Sequence, residues 1–272
     1  MQISSLPLRS GATIPLQGYG LYKVPPLEAE QRAREAIEVG YPLLDTAAFY
    51  RNEAEVGRAL LETGAREHLF LTTKFWGETM TRDEVMRDFE TSMERLEIDV
   101  LDLYLIHWPR PALGTYVETW RAFVELQQAG RVRDIGVSNF TEEHIQRLIT
   151  ETGVVPALNQ VELHPWLPQR ELRAFHEQHG VVTQAWSPLA RGKIMHEPTL
   201  DGIAKKHAVS VAQVVLRWHL QEGISAIPKS SSVARMRENL ELHSFSLDGD
   251  DMAAIAGLES GERTGSHPET GG

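Results

Sequence analysis

The 272-residue chain contains no cysteine, so neither a disulfide framework nor thiolate catalysis or thiolate metal ligation is open to it. No stretch approaches the roughly 20 apolar residues that a membrane-spanning helix needs. The opening residues, MQISSLPLRSG, lack the basic and then apolar layout of a secretory signal, which gives a cytoplasmic expectation. Positive charge is in deficit, with 27 Lys and Arg against 38 Asp and Glu and a formal net charge of −11. That balance argues against general affinity for nucleic acid or anionic membranes, and it makes any local basic cluster informative. No His-x-His pair ends an early strand, as a metal-dependent barrel hydrolase would require, so no metal is expected. A complete Gly-x-Gly-x-x-Gly fingerprint is also missing: after Gly18-Tyr19-Gly20 the chain runs Leu21-Tyr22-Lys23 with no third glycine and no helix start.

What is present is alternation. Eight short β-like segments end at or near polar or special residues: 16–21, 42–45, 69–74, 101–107, 132–138, 157–160, 181–187 and 224–228. Between most of them lie amphipathic helical stretches, at intervals that fit one strand plus one helix. Segments such as Leu-Asp-Leu-Tyr-Leu-Ile-His are apolar nearly throughout, as parallel strands buried on both faces are. Thr81 with Glu84, and Ser210 with Gln213, have capping-box spacing ahead of apolar residues at helical period. A short hairpin, residues 4–16, precedes the first of the eight strands and can close the bottom of a barrel. No linker or repeat divides the chain. The expected fold is therefore a single (β/α)8 TIM-barrel domain over 1–272, with a loosely ordered tail from Gly261 onward. The doubly wound open sheet is the rival fold.

In such a barrel the C-terminal strand ends form the active-site rim. Asp45, Lys74 and His107 end successive strands, and Tyr50 follows Asp45 in the next loop. Leu43 and Asp45 share one side of their strand, as do Leu103, Leu105 and His107 of theirs. The set suits carbonyl reduction, in which the developing alkoxide needs a positioned acid. Tyr50 can supply the proton, the Lys74 ammonium is expected to lower its pKa, Asp45 can hold the ammonium, and His107 can orient the carbonyl oxygen. Tyr22, Phe49, Trp76 and Trp108 can wall a substrate pocket on the same rim, with His107.

Six strings, in order along essentially the whole chain, resemble the aldo-keto reductases. They are Leu-Asp-Thr-Ala-Ala-Phe-Tyr-Arg-Asn-Glu (44–53), Thr-Thr-Lys (72–74), Asp-Leu-Tyr-Leu-Ile-His-Trp-Pro (102–109), Gly-Val-Ser-Asn-Phe (136–140), Asn-Gln-Val-Glu-Leu-His-Pro (159–165) and Ile-Pro-Lys-Ser (227–230). Within that family the segments GYGLYKVPP, VLRWHLQ and SHPE resemble the bacterial 2,5-diketo-D-gluconate reductases. The resemblance implies an NADPH-dependent reductase of small carbonyls, without metal, with Asp45, Tyr50, Lys74 and His107 as catalytic residues. It implies that Ser138, Asn139 and Gln160 hold the nicotinamide carboxamide, that Trp186 stacks on the ring, and that Leu21, Ser187 and Leu189 touch the cofactor. It further implies that Lys229, Ser230 and Arg235 take the 2′-phosphate, with Glu238 and Asn239 near the adenine and Ser231 also in contact with the cofactor. From the residues alone, Ser232 is a plausible N-cap of a helix beginning near Val233, a good anion site beside Lys229. The segment after Trp186 is short for such a protein and the tail is short as well, so the substrate pocket is expected to be open. A monomer is expected. The alternative function is a non-catalytic NADPH-binding barrel.

Overall fold

The computed structural model describes residues 4–271. Eight parallel strands form one sheet: β3 (Tyr19–Gly20), β4 (Leu43–Asp45), β5 (Phe70–Phe75), β6 (Leu101–Ile106), β7 (Val132–Ser138), β8 (Leu158–Glu162), β9 (Val182–Trp186) and β10 (Ser225–Ala226). Each pairs with its neighbour in chain order. The sheet closes through a parallel bridge between Gln17 and Ala226, backed by Gly18 N–H donating to the Ala226 carbonyl and Gly20 N–H to that of Pro228. Helices intervene: α1 (Pro26–Val39), α2 (Glu53–Thr63), α3 (Arg82–Leu96), α4 (Tyr116–Gln128), α5 (Glu142–Thr152) and α6 (Arg170–His179). Two more, α7 (Pro198–His207) and α8 (Val211–Gln221), fill the long connection from β9 to β10, and α9 (Val233–Leu240) and α10 (Gly249–Ala256) follow.

Strand alternation sorts the side chains into two layers. Leu43, Leu103, Leu105 and Leu158 pack inside the barrel, whereas Leu44, Leu71, Tyr104 and Ile106 pack outward against the helices. The glycines of Gly18-Tyr19-Gly20 serve this closure: a Cβ at Gly20 would stand 2.8 Å from the Ile227 carbonyl oxygen. They mark strand contact, not a phosphate loop.

The hairpin of β1 (Ser5–Pro7) and β2 (Thr13–Pro15) lies at the N-terminal end of the strands. Leu8 and Ile14 join the interior layer, and the turn is tied down where Ser10 Oγ donates to the buried Asp134 carboxylate at 2.5 Å. The hairpin thus closes the barrel bottom.

Two local expectations need correction. Ser210 and Gln213 form the capping box of α8, but Thr81 and Glu84 do not form one for α3. Glu84 turns back instead and accepts from the backbone N–H groups of Glu78, Thr79 and Met80, satisfying three donors of the preceding loop. The segment from Gly261 is not loose either. Ser260 and Gly261 donate to the Trp166 carbonyl, and the chain then crosses the barrel mouth in contact with β8 and Trp186. Among the described residues no helix is long and apolar enough to cross a membrane.

Candidate active site

Asp45, Lys74 and His107 share the inward parity of β4, β5 and the end of β6, which places all three at the C-terminal mouth. Tyr50 comes from a 3-10 turn, Ala48–Tyr50, directly after β4. The buried Asn52 fixes that turn: its Oδ1 accepts from Thr46 at 2.6 Å and its Nδ2 donates to the Leu21 carbonyl at 3.2 Å. Lys74 spends all three ammonium protons here, on Asp45 Oδ1 at 2.5 Å, the Thr46 carbonyl at 2.9 Å and Tyr50 Oη at 3.3 Å. The second Asp45 oxygen accepts from Gln160 Nε2 at 2.7 Å. The His107 ring meets that of Tyr50 edge-on, with centroids 5.6 Å apart.

Burial governs the electrostatics. It draws both members of the Asp45–Lys74 pair toward neutrality, Asp45 up and Lys74 down, while their mutual attraction opposes this. Burial together with the nearby ammonium pushes His107 well below its ordinary value, so the imidazole is neutral. The expectation for Tyr50 is overturned. Desolvation, aided by the Asp45 carboxylate, drives the phenol well above 10, so Lys74 does not produce a net lowering. Tyr50 stands protonated, with its oxygen in the field of an ammonium that favours the phenolate once the proton leaves.

These groups open into a cavity of about 770 Å³. One end is aromatic, built from Tyr22, Phe49, Trp76, His107 and Trp108. Phe49 and Trp76 pack with centroids 4.3 Å apart, and Trp76 meets His107 edge-on at 5.2 Å. The middle is walled by Ser138, Asn139, Gln160 and Trp186, and the far end by Lys229, Ser230 and Ser231 ahead of α9 and by Arg235, Glu238 and Asn239 along it. Ser187 and Leu189 line it too. Leu21 does not: it is fully buried in the outer core layer, between the lining residues Gly20 and Tyr22. Lys74 lies behind the wall.

The amides are already engaged. Asn139 Nδ2 donates to the His107 carbonyl at 2.9 Å, and its Oδ1 accepts from Trp186 Nε1 at 2.8 Å. Asn139 adopts φ 64°, a left-handed conformation that asparagine tolerates. At the far end, Tyr19 Oη donates to the Ser230 carbonyl and Tyr41 Oη to that of Met236, locking α9 to the barrel. Ser232 is the N-cap residue by backbone, but its side chain caps nothing, so it leaves the first-turn N–H groups of α9 without a side-chain cap.

Several lining residues were not singled out from sequence: Lys23, Arg191, Met195 and Ser266. Arg191 lies in the turn Ala190–His196 after β9; it and Ala190 take positive φ, as does Ser187 just ahead of the turn. Ser266 belongs to the Ser-His-Pro-Glu string, which was the available signal that the tail reaches the site.

Together these features define a barrel oxidoreductase whose elongated cavity suits a dinucleotide at one end and a small carbonyl compound at the other. The aldo/keto reductase family model matches residues 16–260. An aldo-keto reductase of Mycolicibacterium smegmatis is 47% identical over 264 residues, covering 97% of this chain and 96% of that one. The 2,5-diketo-D-gluconic acid reductase B of a Corynebacterium strain is 45% identical over 270 residues, covering 98% of each. A solved variant of Gox0644 in complex with NADPH superposes with a TM-score of 0.96 at 45% identity and full coverage of both chains. The chain belongs to the aldo/keto reductase family. It is an NADP(H)-dependent oxidoreductase, and carbonyl reduction is its general reaction.

Proposed function

We propose that this protein reduces small aldehydes, α-diketones and keto sugars of the 2,5-diketo-D-gluconate kind, with NADPH as reductant and Tyr50 as the general acid. The observation that carries this is the convergence of Lys74 on Asp45 and Tyr50 beneath the aromatic wall. The cavity fits the cofactor: Lys229, Arg235 and the uncapped α9 start offer positive charge and N–H groups, and the half-buried Trp186 offers a flat indole, edge-tethered to Asn139. The reduced nicotinamide supplies two electrons as a hydride when bound. Neutral His107 donates a hydrogen bond to the substrate carbonyl oxygen and places it against Tyr50 Oη. Tyr50 then gives its proton to that oxygen. Lys74 stabilises the phenolate left behind, and Asp45, held by Gln160, keeps Lys74 in place.

Ser138, Asn139 and Gln160 flank the nicotinamide end in this proposal, and Glu238 and Asn239 the adenine end. The relative named for 2,5-diketo-D-gluconic acid supports keto sugars as one substrate class. Following NADPH absorbance against a panel of diketones, keto sugars and aldehydes tests the proposal. Turnover of α-dicarbonyls that disappears in Tyr50→Phe supports it. Cofactor binding without turnover of any carbonyl would favour the non-catalytic alternative.

A further inference from the structure

Glu162 ends β8, and its cross-strand partner in register is Trp186 of β9. Its carboxylate is buried, yet the described catalytic groups make no use of it. Four donors converge on it instead. Thr264 contributes its N–H at 2.6 Å and its Oγ1 at 2.5 Å to Oε1, and the Gly265 N–H is shared between Oε1 at 3.1 Å and Oε2 at 3.2 Å. From the barrel side, His164 Nε2 lies 3.3 Å from Oε1. A carboxylate out of water is costly unless its lone pairs are met, and here most of them are met by the C-terminal segment.

That segment packs on the pocket. Gly265 sits against the six-membered ring of Trp186 so closely that any Cβ would overlap the indole. Ser266 lines the cavity, and a Cβ on Gly271 would stand 2.7 Å from Trp108 Cζ3. Glu269 approaches His144 at 3.6 Å on the far side. Segment 263–271 therefore spans the mouth from Trp186 to Trp108, and Glu162 is its inner anchor.

We propose that Glu162 is a positioning residue that straps segment 263–271 across the substrate half of the pocket. The expectation of an open pocket behind a short tail is thereby replaced: the tail is short but fastened. Trp186 keeps its own tether to Asn139, so releasing the strap acts on the substrate side and leaves cofactor binding nearly intact. Because Glu162 touches neither reacting group, its effect travels entirely through the strap. The steady-state part of this inference rests on the carbonyl-reductase proposal above, but the tether itself does not.

The test compares wild type, Glu162→Gln, a chain ending at Glu262, which also removes the Arg263 guanidinium 4.0 Å from Glu162, and the two changes combined. Losing charge-assisted contacts to the strap should raise the diacetyl KM by about tenfold, with the NADPH dissociation constant changed less than about threefold. Truncation should raise KM similarly, and Glu162→Gln should add nothing once the strap is gone. Gly265→Ala, which pushes the strap off Trp186 while leaving Glu162 in place, should raise KM in the same direction. Hydrogen exchange of peptides spanning 264–271 reads the tether without any turnover, and it should quicken in Glu162→Gln. Unchanged exchange there would overturn the strap whatever the enzyme reduces. A Glu162→Gln penalty that persists in the truncated chain would show that the carboxylate serves the barrel instead.

Discussion

Trp186 hangs by its indole N–H from Asn139 Oδ1 at 2.8 Å, and the same amide donates to the carbonyl of His107. One side chain thus couples the wall at the end of β9 to the histidine that directly follows β6. Asn139→Ala should free the indole, weaken NADPH by about tenfold and reduce the quenching of tryptophan fluorescence by cofactor, as expected for loss of a buried hydrogen bond. Asn139→Asp keeps an acceptor for Trp186 and should retain more of the quenching. Equal quenching in all three proteins would mean that the tether does not hold Trp186 for the cofactor.

Lys229 and Arg235 are both exposed at the far end of the cavity, in a protein whose net charge of −11 repels a phosphate overall. If they hold the 2′-phosphate, Lys229→Gly and Arg235→Ala should each weaken NADPH by roughly one to two orders of magnitude, the range for charge-assisted contacts. NADH affinity should barely move, and added salt should erode the NADPH advantage first. Dissociation constants for both cofactors decide this, and parallel losses would assign the residues to adenosine or to the fold.

Two histidines away from the site set an acid limit. Burial pushes His176 from 6.5 down to about 3 and His219 down to about 4. Above 6.5 both are neutral whether the chain is folded or unfolded, and their cost to folding is nil. As pH falls below 6.5 the unfolded chain takes up protons that the folded protein refuses, so stability is lost until pH reaches the folded values. Denaturant unfolding between about pH 7.5 and pH 5 should show this decline, and His219→Gln should show less of it. A decline of the same size in that variant would assign it to other groups.

The barrel was legible because strand alternation and burial write themselves into sequence. Leu43 and Asp45, or Leu103, Leu105 and His107, share a face whatever surrounds them, and the polar member at the end of such a run marks the mouth. What was not legible depended on competition in space. Glu84 has capping-box spacing from Thr81, but the three N–H groups of loop 78–80 were stronger claimants. The direction of the Tyr50 shift turned on whether burial or the ammonium dominates, which no local pattern records. Leu21 stands between two lining residues, but its own position faces the outer core. Glu162 sat in plain view in the string Asn-Gln-Val-Glu-Leu-His-Pro, but its partners lie 102 and 103 residues away.

The central claim is that Tyr50 donates the proton from a phenol held by Lys74. A single measurement bears on it most directly: the rate of NADPH oxidation by diacetyl in Tyr50→Phe under saturating cofactor, alongside the NADPH dissociation constant of the same variant. The account predicts cofactor affinity within about threefold of wild type and turnover reduced at least ~100-fold, the lower end for loss of a general acid. Turnover close to wild type with normal binding would contradict it.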